Sequence, residues 1–383
     1  MQRLRKFVAP EFIYGPDAIT MVGQYCLNFG AKMVLIVTDP GVMATGVVAR
    51  VATALEAAGI KTALFSGVSP NPRASEVMAG AEFYRQAGCD VIVAVGGGSV
   101  MDCAKGIGIV STNQRHILEF VGVDNVAVPG PPLICIPTTA GSSADVSQFA
   151  IITNEQQRVK LAIISKLVVP DVSLIDPATT LTMGNYLSAC TGIDALVHAI
   201  EAFVSIAHSP ILDLHALEAI RLIGANLLPV LERPDDLELR DKMMLASLEA
   251  GLAFSNASLG AVHAMAHSLG GYLDLPHGEC NAILLEHVLA YNYAVAPERY
   301  DRIGEALGFD LQGMNSGQKR RAILDLVHKI KKAAGISNTL ADRGVKTTDI
   351  PILAGKAMAD PCLITNPRRP NQRDLEVIYE EAL

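Results

Sequence analysis

The hydrophobic rhythm of the chain changes about halfway along. In the first half, short apolar runs alternate with longer amphipathic stretches. Met33–Thr38 (MVLIVT) reads as a buried strand closed by the turn signal Asp39-Pro40-Gly41. A helix is predicted over Val47–Ala58, a strand over Lys61–Phe65, a helix over Ala74–Gln86 and a buried strand over Asp90–Val95, ending at Gly96. Leu133–Ile136 is a further strand, stopped by Pro137. Strands alternating with helices predict a parallel sheet covered on both faces. Phe149–Thr153, Lys160–Ile164 and Val172–Ile175 follow with no long helix between them, which predicts a separate side sheet.

From about Leu181 onward the period becomes helical, over Ala189–Val204, Ser209–Leu231 and Arg240–Ala253, and no comparable strand run follows Ile175. The breakers Asp176-Pro177 and Gly184-Asn185 place a boundary within residues 176–188. The expected organisation is an α/β domain over 1–183 and an all-helical domain over 184–383. No internal repeat or low-complexity segment interrupts it.

Composition narrows the class. Half of the 383 residues are hydrophobic and 18% are charged, enough apolar surface for a large core and the opposite of a disordered chain. A formal charge of -8 gives no electrostatic footprint for nucleic acid or anionic lipid, so neither partner is expected. The first residues are basic, but no apolar run of signal-peptide length follows Arg5 and Lys6. The uncharged stretches Asn125–Ala144 and Ala250–Leu273 carry prolines in one case and histidines, serines and glycines in the other, so neither reads as a membrane span. Seven cysteines, odd in number and without a C-x-x-C pair, read as reduced thiols of a cytoplasmic protein.

Two constellations carry chemistry. Gly96-Gly97-Gly98-Ser99 follows a predicted strand and opens a helix, where free N–H groups and the positive dipole end suit a pyrophosphate. Ser99 with Asp102 reads as a helix N-cap and its partner. The run is neither G-x-G-x-x-G nor a P-loop, and a tight turn with no ligand is the alternative. Asp39, at the end of an early strand, could accept hydrogen bonds from a ribose diol and repel a 2′-phosphate, which favours NAD over NADP; its plainer role is a turn residue before Pro-Gly.

Asp194 and His198 stand four apart on a predicted helix, as do His263 and His267, and His277 follows ten residues later. One carboxylate and three imidazoles suit a divalent first-row metal, Fe²⁺ or Zn²⁺, with room for a substrate oxygen. Spacing leaves open which histidine is not a ligand. A lone helical histidine is more often a hydrogen-bonded core residue. His208, His215 and His287 carry no assigned role.

Four segments, GGGSVMDCAK (96–105), PTTAGSSADVS (137–147), TGIDALVHAIEAFVS (191–205) and HAMAHSLGGYLDLPHGECNAILL (263–285), together resemble the iron-containing (group III) alcohol dehydrogenase family over essentially the whole chain. The stretch PTTAGSSADVSQFAI is similar to its ErcA-like branch. The resemblance implies an N-terminal Rossmann-like parallel-sheet domain followed by an all-helical C-terminal domain, the dehydroquinate synthase-like architecture, with the site in the cleft between them. It implies metal ligation by Asp194, His198, His263 and His277, with His267 facing the substrate on the proton path. The implied cofactor positions are Asp39, Asn71, Gly97, Gly98, Ser99, Asp102, Thr138, Thr139, Ser147, Phe149 and Lys160, and Phe254 and Cys362 would line the alcohol pocket.

Two departures stand out. Gly141-Ser142-Ser143-Ala144-Asp145 replaces the common G-T-G-S-E, and Glu286 replaces a usual Pro. The activity implied is hydride transfer between a small aliphatic alcohol or aldehyde and NAD(H), with Fe²⁺ (Zn²⁺ as substitute) acting as Lewis acid, in a homodimer or larger homo-oligomer. The alternatives are a polyol or glycerol dehydrogenase of the same architecture and a non-catalytic metal- or nucleotide-binding sensor.

Overall fold

The computed structural model describes residues 6–383, so the basic Arg5 lies outside the described residues. The described chain forms two compact units, residues 8–182 and residues 183–383, the second joined by Lys6 and Phe7. The Phe7 ring rests 6.0 Å from that of His215.

The strands of the first unit are β1 (Glu11–Tyr14), β2 (Met33–Val37), β3 (Lys61–Phe65), β4 (Val91–Gly96), β5 (Gly122–Val123), β6 (Leu133–Pro137), β7 (Phe149–Asn154), β8 (Val159–Ile164) and β9 (Val172–Ile175). Its helices are α1 (Val22–Asn28), α2 (Pro40–Ala44), α3 (Val47–Ala57), α4 (Ala74–Gln86) and α5 (Gly98–Asn113). Six strands form a parallel sheet in the order β1-β9-β6-β4-β2-β3. The period-two alternation of strands explains why both faces are covered. Leu35, Val37, Ile92 and Ala94 pack one face against Val77 and Ala81 of α4 and Val100 and Ala104 of α5. Val34, Ile36, Val91 and Val93 pack the other against Val22 of α1 and Val51 and Leu55 of α3.

The structure corrects the expected side sheet. β7 and β8 pair antiparallel and are joined by the two-residue β5, whereas Val172–Ile175 inserts into the main sheet between β1 and β6. Its four buried residues in succession are the mark of a strand covered on both faces. β1 was not foreseen either. Its partly exposed EFIY sits at the sheet edge, where one-sided pairing weakens the apolar signal.

The second unit contains α6 (Asn185–Val204), α7 (Pro210–Glu232), α8 (Leu237–Ala257), α9 (Ala261–Leu273), α10 (His277–Asn292), α11 (Pro297–Ala306), α12 (Ser316–Ala333), α13 (Ile350–Met358) and α14 (Gln372–Glu381). No strand occurs among its described residues. By length and composition α6 and α7 could each cross a membrane, but 89% of the apolar window of α6 is buried inside the unit, which accounts for its composition as a core helix. Glu286, the residue in place of Pro, accepts from Lys331 Nζ at 3.1 Å and so ties α10 to α12.

Candidate active site

In the first unit, several of the expected cofactor residues follow the carboxyl ends of parallel strands, whereas Phe149 and Lys160 lie in the antiparallel β7/β8 pair. The chain runs from β2 outward to β3 and returns to β4 on the other side of β2, which makes the β2/β4 junction a topological switch point, the usual ligand crevice of such sheets. Asp39 follows β2 there and Gly97 follows β4, while Thr138 follows β6 and donates its N–H to Gly96 O at 2.9 Å. Thr38 Oγ1 donates to Val95 O at 2.8 Å and fastens the β2 end to the β4 end.

Here the structure revises the capping expectation. The N-cap of α5 is Gly97, with no side-chain cap, and Ser99 lies inside the first turn, where its hydroxyl donates to Pro70 O beside the buried Asn71. The first turn of a sixteen-residue helix therefore keeps N–H groups that no capping side chain takes, as an anion seat requires. A Cβ on Gly98 would lie 2.7 Å from Ser142 Cβ and Oγ, and one on Gly97 3.2 Å from Thr139 Cγ2, so the glycines also let the 139–142 loop close in. Asp102 stands one turn further along α5.

Lys105 was not singled out by sequence reasoning, although it closes the GGGSVMDCAK segment. Its Nζ donates to the carbonyls of Ser147 at 2.9 Å and Phe149 at 2.7 Å, fixing the entry of β7, and burial pushes its ammonium pKa down. Lys160 faces Thr153 in the β7/β8 register, and Thr153 N–H donates to Pro72 O, one residue after Asn71. Asp39 fills the plainer role expected of it: its Oδ1 accepts from Val42 N–H at 2.9 Å and caps α2. In the substituted loop, Ser143 holds φ +50°, at the position where the family form has glycine. The Asp145 carboxylate accepts from Ser173 Oγ at 2.8 Å, and burial pushes its pKa up.

In the second unit, α6, α9 and the first turn of α10 bring Asp194, His263 and His277 together. Asp194 Oδ1 lies 3.8 Å from Nε2 of both histidines, and one ligand atom from each residue falls within 4.8 Å of the others. His198 is not in that compact group. Its ring stacks on His263, with centroids 4.5 Å apart, and on Phe254 at 4.2 Å.

Three partners escaped the sequence reading. Glu201 lies one turn after His198 on α6, so helical spacing could have pointed to it. Its carboxylate accepts from His263 Nδ1 at 2.6 Å and from the N–H groups of Val262 at 2.7 Å and Gly260 at 3.0 Å. Burial pushes the Glu201 carboxyl up to about 7 and the His263 imidazole down to about 3, each against its charged form. With Nδ1 donating to Glu201, Nε2 carries the bare lone pair that a metal ligand needs. Asn281, one turn after His277, points Nδ2 at Asp194 Oδ1 (2.6 Å), His263 Nε2 (3.2 Å) and His277 Nε2 (3.3 Å), leaving its buried Oδ1 without a partner. Three converging acceptors, a neutral imidazole and an orphaned buried oxygen fit a cation site.

Asp360, with no local signal in the sequence, accepts from His267 Nδ1 at 2.8 Å and from Cys362 N–H at 2.8 Å. Burial works to raise its pKa, but the facing His267 and the Cys362 N–H hold it below the ordinary value. The His267 ring stacks on His277 with centroids 5.2 Å apart. Phe254 and Cys362 are both buried in this unit.

Comparison with known proteins places the chain among its relatives. Residues 9–177 match the family described as Iron-containing alcohol dehydrogenase, and 188–383 match Fe-containing alcohol dehydrogenase family, C-terminal. The chain is 40% identical over 383 residues to 1,3-propanediol dehydrogenase of Citrobacter freundii, covering 99% of each chain. It is 36% identical to NAD-dependent methanol dehydrogenase of Bacillus methanolicus, covering 98% of this chain and 99% of that one. A crystal structure of 1,3-propanediol oxidoreductase superposes with a TM-score of 0.96 at 40% identity, covering 100% of both chains. Two family matches that together span most of residues 9–383, and full-length relatives, agree: the chain belongs to the iron-containing alcohol dehydrogenase family and is an oxidoreductase.

Proposed function

We propose that this alcohol dehydrogenase transfers hydride between a small aliphatic alcohol or aldehyde and NAD(H). Asp194, His198, His263 and His277 would hold Fe²⁺, with Zn²⁺ as a possible substitute. The convergence of Asp194 Oδ1, His263 Nε2 and His277 Nε2 carries the reading. When bound, the metal supplies Lewis acidity that lowers the pKa of the alcohol hydroxyl. Glu201 keeps His263 in the tautomer whose Nε2 is bare. His267, held through Nδ1 by Asp360, presents Nε2 as the acceptor for the hydroxyl proton. NAD⁺, when bound, would supply the hydride acceptor for oxidation of the carbinol carbon to an aldehyde or ketone, and the buried Phe254 and Cys362 would limit the alcohol to a small chain.

The dinucleotide is assigned to Asp39, Asn71, Gly97, Gly98, Ser99, Asp102, Thr138, Thr139, Ser147, Phe149 and Lys160, with the uncapped start of α5 as the pyrophosphate seat. The name of the Bacillus methanolicus relative supports NAD as the coenzyme. The domains are drawn at 1–183 and 184–383, and the ErcA-like branch rests on residues 137–151. A cytoplasmic location is supported by seven free, buried cysteines. A homodimer or larger oligomer is supported by exposed apolar side chains on the second unit, among them Leu214 (72% exposed) and Ile364 (73% exposed).

The test is elemental analysis of anaerobically purified protein together with NADH formation from C2 to C4 alcohols, methanol and 1,3-propanediol, with and without added Fe²⁺. About one metal per chain and metal-dependent NADH formation are expected. No metal after Fe²⁺ loading would overturn the ligand assignment. Metal without turnover would favour the sensor.

A further inference from the structure

Asn281 sits where the metal ligands converge, and its contacts do not balance. Its Nδ2 faces three atoms at once, Asp194 Oδ1 at 2.6 Å, His263 Nε2 at 3.2 Å and His277 Nε2 at 3.3 Å. Asp194 offers a carboxylate oxygen. His263 Nε2 is bare because Nδ1 donates to Glu201 at 2.6 Å. An amide nitrogen donates and does not accept, so His277 Nε2 turned toward it acts as a third acceptor. A primary amide has only two hydrogens for these three acceptors.

Rotating the carboxamide does not repair the mismatch. With Nδ2 inward, the buried Oδ1 has no hydrogen-bond partner. With Oδ1 inward, it would stand against the Asp194 carboxylate oxygen, acceptor against acceptor. A buried polar group in this position carries a penalty in either orientation. A cation satisfies all three acceptors together and needs no hydrogens.

We propose that Asn281 is an internal competitor for the cation: its carboxamide takes the point on which Asp194, His263 and His277 converge and must withdraw for the metal to bind. The inference rests on the metal-site reading above. Asn281 is placed for this role by its position one helical turn after His277 on α10, which puts both side chains on one face. By linkage, the hydrogen bonds that Asn281 makes to the ligands subtract from the apparent metal affinity.

The test uses the full chain stripped of metal, in wild-type form and as Asn281→Ala and Asn281→Ser. Co²⁺ is the probe, its affinity read by competition with a chromophoric chelator, and Tm is measured with and without it. Asn281→Ala is expected to bind Co²⁺ about tenfold more tightly, the worth of a hydrogen bond to a charged acceptor. The rise in Tm on adding Co²⁺ is then larger than for the wild type, because the stripped variant has lost those hydrogen bonds. Should Asn281→Ala fail to fold, Asn281→Ser carries the test, with a smaller tightening in the same direction. Unchanged or weaker Co²⁺ binding in a folded variant would overturn the competitor role while the wild type still binds. A wild-type chain that binds no Co²⁺ would overturn the metal-site reading and this inference with it.

Discussion

The loop after β4 offers backbone, whereas the cluster formed by α6, α9 and α10 offers side chains. Around Gly97 and Gly98, what counts is the absence of a side chain: N–H groups at the start of α5 stay uncapped and the 139–142 loop packs close. Around Asp194, His263 and His277, what counts is the chemical state of each side chain, set by buried partners such as Glu201. The first region tolerates little added volume. The second tolerates little change of charge, tautomer or hydrogen-bond count. A backbone site is therefore damaged by sterics and a side-chain site by chemistry, and substitutions can separate the two.

The sharpest separation comes from Asp194→Ala. It should lose metal on dialysis and lower turnover roughly a thousandfold, the scale of several kcal/mol of Lewis-acid stabilisation, while NADH binding followed by fluorescence is retained. Loss of both together would merge the two regions into one cooperative unit. Glu201→Gln touches no proposed metal-binding atom, yet it should weaken metal affinity by about 10- to 100-fold in a chelator competition, as the loss of a carboxylate behind a ligating imidazole does. An unchanged affinity would reduce Glu201 to a cap for the start of α9.

Gly98→Ala acts on the other region. The added Cβ meets Ser142 at 2.7 Å, and KM for NAD should rise about tenfold at unchanged metal content, the scale of local overpacking. Asp39→Gly should narrow the preference for NAD over NADP by roughly fivefold, the worth of a hydrogen bond to the ribose, in paired KM measurements. The smallest effect is expected from Ser143→Gly. Ser143 holds φ +50°, so glycine should raise stability by roughly 1 kcal/mol in a denaturant titration without moving KM. A loss of stability would mean that the Ser143 side chain repays its strain.

Local order made much of this legible in the sequence. β3, α4 and β9 fall at their predicted bounds, because each is a short run whose own period and flanking breakers define it. The placement of β9 was not legible: antiparallel β7 and β8 precede it, and which sheet a buried strand joins depends on partners far along the chain. Ser99 reads as an N-cap by residue type, yet the N-cap is Gly97, two residues earlier, because the glycine run lets the helix start at the strand end.

The same division holds for the site. By itself the sequence determined the parallel α/β half, the helical half, the glycine seat and the histidine-rich helices, since these depend on period, turn chemistry and i,i+4 spacing. Only the tertiary structure decided that Glu201 meets His263, that Asp360 holds His267 across 93 residues, and that Asn281 sits among Asp194, His263 and His277. Such partners are chosen by the need to satisfy buried polar groups in three dimensions, and no local pattern records which distant side chain will meet that need.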